Sequence, residues 1–206
     1  MIVEMRTYTL NPGTTPEFEK RFAEALPNRT KLSPLAAFWH TEVGPLNQVI
    51  HVWPYEDMAA RTRIREEATK QPGWPPNTRE FVVSQKSQVF IPAPFSPKLD
   101  PAQHGGIYEI RLYTLKPGAV PSQIDRWSTA IGERVKLSPL VFAGHSELGD
   151  LNIWCHIWAY KDANHRAEIR EKARKEGIWP PKGGQPGTML KQENMLVVPA
   201  SFSPLR

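Results

Sequence analysis

The first apolar pattern in the chain has a period of two. Over residues 2–10, Val3, Met5 and Thr7 alternate with Glu4, Arg6 and Tyr8, the mark of a strand with two distinct faces, and Asn11-Pro12-Gly13 ends it. The period then lengthens. Phe18, Phe22 and Leu26 follow Thr15-Pro16 at i, i+4 and i+8, which predicts a helix with one buried face. Ser33-Pro34 disfavours further helix, so a second strand is expected at about 35–43. The Gly44-Pro45 turn then makes a hairpin with a third strand at 47–53. Asp57 is placed to cap a second helix that ends near Gln71-Pro72-Gly73, and a fourth strand is expected near 85–91.

The same order then recurs. Sliding the chain on itself by 105 residues aligns 3–76 with 108–181 without a gap, and 34 of those 74 positions are identical, so the chain is a tandem duplication. Two extra residues follow Pro181, and the copies re-register at IPAPFSP (91–97) and VPASFSP (198–204). The second copy is expected to place strands at 107–115, 140–148, 152–158 and 191–198. Its first helix carries Ile124, Trp127 and Ile131, and Asp162 caps its second. The linker is KLDPAQHGG at 98–106, and a boundary near Gln103 divides the chain into units 1–103 and 104–206. Each reads β-α-β-β-α-β, a ferredoxin-like α+β unit with one antiparallel sheet and two helices on one face.

Several strings carry a resemblance: YEIRLYTLKPG, LNxxxHxWxYxD followed by RxxxR, a tryptophan after the second helix, and a closing FSP. Together, once per repeat and over nearly the whole chain, they resemble the NIPSNAP family. The resemblance implies the dimeric α+β barrel superfamily, in which two ferredoxin-like units press their open sheet faces together. It brings no catalytic residues with it. A linker of roughly 9 residues reaches at most about 30 Å, enough to dock the second unit on the first within one chain. The expected assembly is therefore an intrachain pseudo-dimer, with a chain-swapped dimer as the competing arrangement. Outer surfaces are left for association of whole chains into a homodimer.

Strand parity is then expected to turn Val3, Met5 and Thr7 towards the helices. Glu4, Arg6 and Tyr8, repeated as Glu109, Arg111 and Tyr113, would line the barrel interior with Asn47, His51 and Trp53, repeated as Asn152, His156 and Trp158. His51, His156, Tyr8 and Tyr113 are the candidate acid/base groups. Arg6 and Arg111 are candidate anchors for an acidic group, Trp53 and Trp158 a stacking wall, and Glu4, Glu109, Asn47 and Asn152 further binding groups. The expected ligand is a small planar or acidic organic molecule, bound or converted in the barrel without a cofactor. The same polar residues can equally form a network that specifies how the halves dock. Val49 against Trp154 predicts a narrower pocket in one half.

Two other functions remain open on the residues. One is an adaptor that binds proteins through its outer surfaces, as eukaryotic relatives suggest by resemblance, with Arg61, Arg65, Arg166 and Arg170 as contacts. The other is haem binding or degradation through a barrel histidine. The arginines otherwise read as surface ion pairs with Asp57 and Asp162. His40 with Glu42, and His145 with Glu147, could present a histidine and a carboxylate on one strand face, but nothing at ligand spacing completes a metal site. Trp74 and Trp179, each before Pro-Pro, are expected to fold over the core, with a pocket lid as the alternative.

Composition narrows this further. With 40% hydrophobic and 23% charged residues the chain has ample material for a packed core. A lone cysteine, Cys155, excludes an intrachain disulfide and any multi-cysteine metal site. The net charge of +5 is spread among interleaved acids, so no nucleic-acid partner is expected. No apolar run approaches a membrane span and the first residues lack a leader pattern, which points to the cytoplasm. No phosphate-binding glycine loop or Ser-His-Asp order is present.

Overall fold

The computed structural model describes all residues, 1–206. The first repeat runs β1 (Ile2–Leu10), α1 (Thr15–Thr30), β2 (Ala37–Val43), β3 (Gln48–Tyr55), α2 (Met58–Ala68) and β4 (Val82–Pro92). The second runs β5 (Ile107–Leu115), α3 (Val120–Arg134), β6 (Leu140–Leu148), β7 (Ile153–Tyr160), α4 (Ala163–Lys175) and β8 (Met189–Pro199). Asp57 and Asp162 cap α2 and α4 as expected, each carboxylate accepting from the backbone N–H three residues on.

The strands close into one antiparallel barrel in the order β1-β3-β2-β8-β5-β7-β6-β4. Within a repeat the first strand lies between the third and fourth, with Arg6 opposite His51 on one side and Ser87 on the other. Between repeats, the fourth strand of each pairs with the second strand of the other. Ile91 lies opposite His145, and His40 opposite Val198. Closure leaves no open sheet edge, and it is achieved within a single chain as the linker length suggested.

The tails bind the halves together. The FSP segment of each repeat crosses to the other: Ser203 Oγ accepts from Phe38 N–H at 2.9 Å, and Ser96 Oγ accepts from Ala143 N–H at 3.1 Å. Phe202 lies with its ring centroid 4.9 Å from Phe38, while Phe95 lies 6.2 Å from Trp127. The linker is anchored too, because Ala102 and Leu205 form a parallel bridge and His104 N–H donates to the Arg206 carbonyl.

The expected assignment of strand faces is reversed. The barrel interior holds Val3, Met5, Ile50 and Val52 from one repeat and Ile110, Ile153, Cys155 and Ile157 from the other, in one cluster that contains no helix residue. Trp39 and Tyr108 meet across it at 5.0 Å. Val49, Trp53 and Tyr55 instead pack with Phe18 and Phe22 of α1, and Trp154, Trp158 and Tyr160 with Trp127 and Ile131 of α3. Glu4, Arg6, Tyr8 and His51 therefore do not face Glu109, Arg111, Tyr113 and His156 across the barrel; each set lies under its own helices. The reason lies in the second helices. Among their residues α2 buries only Ala60 and Ala68, and α4 only Ala173, so neither brings an apolar stripe to cover the aliphatic face. They bring arginines, which suit the face that carries Glu4 and Glu109. The interior of an eight-stranded barrel has room only for close-packed side chains, and the aliphatic face fills it.

Candidate functional site

The site is built on the period-two spacing of β1 and β3. Glu4, Arg6 and Tyr8 project from one face of β1, and the register sets them beside Trp53, His51 and Val49 of β3. Glu4 is fully buried, and its Oε1 accepts from Arg6 at 2.9 Å, Arg61 at 2.6 Å and Ser87 at 2.7 Å. Burial raises the carboxyl's pKa, but the bonds from Arg61, Ser87 and Arg6 outweigh it and bring it down to about 2. Arg6 also donates through Nε to the Tyr8 hydroxyl at 2.9 Å. Arg61 is thus not in a surface pair with Asp57, which is occupied in capping, but reaches down from α2 to a buried carboxylate. Arg65 follows more loosely, 3.9 Å from Glu4 and half-exposed.

His51 is buried among Tyr8, Phe22 and Phe38, with ring centroids at 4.9, 5.3 and 5.9 Å. The indole N–H of Trp53, two residues along the strand, donates to His51 Nδ1 at 2.6 Å. An indole can only donate, so Nδ1 carries the lone pair and the proton of the neutral ring sits on Nε2. Nε2 has no partner in the protein. Burial, reinforced by Arg6, holds the imidazole's pKa well below its ordinary value. His51 is therefore oriented by Trp53 with its proton on Nε2, in a setting that disfavours its charged form. His156 is held identically by Trp158 at 2.7 Å. Haem ligation fits poorly, because an axial histidine needs a lone pair on the free nitrogen and an acceptor for its other N–H.

Behind the histidine lies Arg29 of α1. It is 3% exposed, donates to Ser33 Oγ at 2.9 Å and Tyr55 Oη at 3.0 Å, and stacks over the Trp53 ring at 4.2 Å. No carboxylate pairs with it. Burial lowers its pKa from the ordinary arginine value.

These groups line a cavity of about 470 Å³ between the outer face of the first repeat's sheet, α1, the end of α2 and the Trp74-Pro75-Pro76 segment. Arg6, Arg29, Arg65 and Arg79 contribute to its wall and no aspartate or glutamate does. Tyr8, Phe18, Phe22, Trp53 and Trp74 supply aromatic surface, and His51 is part of the lining. Trp74 folds back as expected, 5.3 Å from Phe22.

Of the residues expected at a site, Arg6, Tyr8, His51 and Trp53 are brought together, on the helix side of the sheet and not in the barrel. Glu4 lies beneath them and orients the arginines without lining the cavity. Asn47 and Asn152 do not join it. They hold positive φ of 57° and 58° in the hairpin turns, and their carbonyls accept from Leu10 and Leu115. In the second repeat Arg111 donates to Tyr113 at 2.7 Å and to Glu109 at 2.6 Å, and Arg166 to Glu109 at 2.6 Å, the same network again. His40 bonds to Glu19 of α1 at 2.8 Å and not to Glu42, and no group of three or more metal-ligating side chains is gathered anywhere in the chain. Arg29, Tyr55 and Arg79 were not read from the sequence as parts of a site, whereas Trp74 takes up the alternative pocket-lining reading. Arg29 did leave a signal, as a charge on the buried face of α1 that recurs as Arg134 in the same place in α3.

Comparison with known proteins bears on the family and the fold. The family model described as NIPSNAP matches residues 3–97 and again 108–204. Protein NipSnap homolog 3A of Homo sapiens is 31% identical over 212 residues, covering 98% of this chain and 85% of the human protein. Among solved structures, a monooxygenase-like protein from Fusobacterium nucleatum superposes with a TM-score of 0.66 at 12% identity, covering 96% of this chain and 91% of its own. A second monooxygenase-like protein, from Lactobacillus acidophilus, gives 0.61 at 12% identity, covering 96% and 92%. At that identity the two structures speak for the barrel fold alone. With both halves matched by the family model and a relative above 30% over almost the full length, the chain belongs to the NIPSNAP family.

Proposed function

We propose that this protein binds a small planar organic anion, without a cofactor, in the cavity between the helices and sheet of its first repeat. The observation that carries the reading is the wall itself: four arginines, one of them buried with no carboxylate partner, and no acidic side chain among the lining residues. A buried cation without a counterion is costly, and an anionic ligand offsets that cost. The aromatic side chains favour a flat molecule. The volume lies within the range of small-molecule sites. No helix is long and apolar enough to cross a membrane, and a cytoplasmic setting rests on the sequence reading alone.

The test is a thermal-shift and calorimetric panel of aromatic carboxylates, hydroxy acids and lactones. Carboxylates are expected to raise the melting temperature, and neutral isosteres of the same shape to leave it unchanged. Arg65→Ala removes a loosely held side chain, so the fold is expected to survive while carboxylate affinity falls about 10-fold or more. Equal stabilisation by acids and neutral isosteres, or by none of the panel, overturns the reading.

A further inference from the structure

The duplication invites the assumption of two equal sites, but the residues around the two histidines differ where space is decided. Phe22 of the first repeat corresponds to Trp127 of the second, and Val82 to Met189. The Phe22 ring stands 5.3 Å from both His51 and Trp74. The Trp127 indole comes closer to the equivalent partners, 4.7 Å from His156 and 4.6 Å from Trp179, and also reaches within 6.3 Å of Trp158. Met189 packs into the same cluster. Gln123, in the place of Phe18, does not reopen the space, since it is 2% exposed and its amide oxygen accepts from Arg126.

The segment over the mouth differs as well. The stretch that carries Arg79 in the first repeat is replaced by the glycine-rich Lys182-Gly183-Gly184-Gln185-Pro186-Gly187. Gly184 lies so near α3 that a Cβ there would fall 2.6 Å from an Arg126 nitrogen. A groove nearby runs over the outside of α4, past Arg166, Arg170, Arg174 and Trp179, and none of Arg111, Tyr113, Arg134, His156 or Trp158 lines it.

We infer that the second repeat is a closed copy of the site: the Trp127 indole occupies, against His156, Trp158 and Trp179, the place that an aromatic ring of the ligand takes against His51, Trp53 and Trp74. The chain accordingly takes one ligand, in the first repeat, and the class is an aromatic carboxylate or a similar flat anion. This rests on the function proposed above. It also explains why the network of Glu109, Arg111 and Arg166 persists without an open cavity: these residues hold helix to sheet in both copies.

The indole N–H groups of Trp53 and Trp158 report separately on the two sites, because each donates to its own histidine. The experiment titrates 2-naphthoate into the intact, 15N-indole-labelled chain, with calorimetry for stoichiometry. In the parent protein one equivalent is expected to bind, shifting the Trp53 resonance and leaving that of Trp158 in place. In Trp127→Phe/Met189→Val, which carries the first repeat's residues at both positions, a second equivalent is expected and the Trp158 resonance moves as well. Trp127→Phe alone, the milder change, is expected to give the same movement if the double variant folds poorly. Movement of both resonances in the parent protein overturns the closed copy and leaves the anion-binding reading standing. Binding of one equivalent with the Trp158 resonance unmoved in every folded variant overturns the role of Trp127. No shift of either resonance at saturating probe, in parent or variant, overturns the anion-binding reading and the inference with it.

Discussion

At the scale of residues, two short repeats of spacing do most of the work, Glu-x-Arg-x-Tyr and His-x-Trp. The first puts a carboxylate under two arginines. Glu4→Gln leaves Arg6 and Arg61 without their counter-charge beside a buried amide, and is expected to cost about 3–5 kcal/mol in denaturant unfolding. Because the Glu4 carboxyl is held at about 2 against an ordinary 4.5, the folded chain binds fewer protons than the unfolded one as acid is added. Stability is then complete above about 4.5 and declines as pH falls towards about 2, and Glu109, also lowered, acts in the same direction. An acid titration followed by circular dichroism checks this, and the Gln variant should show a shallower decline. The second spacing fixes a tautomer. Nitrogen NMR is expected to find His51 and His156 neutral, with the proton on Nε2, at a pH where an ordinary exposed histidine has already taken up its proton. Trp53→Phe should release His51 Nδ1 and raise that residue's pKa. Both spacings were legible in the sequence because a strand repeats every two residues. Which face they occupy was not, since the strands are covered on both sides and parity alone cannot say which cover is helix and which is barrel.

At the scale of elements, the clue to the faces was present in α2. MAARTRIREEA carries no apolar stripe wide enough to sit on Val3, Met5, Ile50 and Val52, whereas its arginines match a face holding Glu4. The strand and helix positions themselves were readable to within about three residues, because proline and glycine punctuation brackets most of the periods. The crossing of the FSP tails was not readable, since no local pattern says which repeat a tail will cover. Phe202 covers Phe22 and Phe38 of the first repeat from the far end of the chain. Phe202→Ala is expected to destabilise the whole chain by about 2–4 kcal/mol and to weaken ligand binding in the first repeat, although no residue of that repeat has changed. Phe95→Ala should cost stability similarly and leave ligand affinity unaltered, and paired calorimetric and denaturation measurements separate the two.

At the scale of the whole molecule, the barrel belongs to neither repeat, because β4 finds its second partner in β6 and β8 finds its second partner in β2. The segment 1–103 alone is expected to pair with a second copy of itself, doubling its mass in light scattering, while the intact chain keeps its barrel on dilution. Exposure of Trp53 and Trp158 to a soluble quencher on dilution of the intact chain would contradict a barrel closed within one chain. Closure across the halves also has a consequence during synthesis. When the first repeat has left the ribosome, β2 and β4 still lack their outer neighbours, and those neighbours come from segments up to about 100 residues later. At roughly 5–20 residues per second, the β4 edge stays unpaired for about 2–10 s, until β6 emerges, and the β2 edge for about 5–20 s, until β8 does. For the first of these intervals the nascent chain carries two adhesive strand edges near other nascent copies of itself, and its greatest exposure to mispairing comes before it is complete.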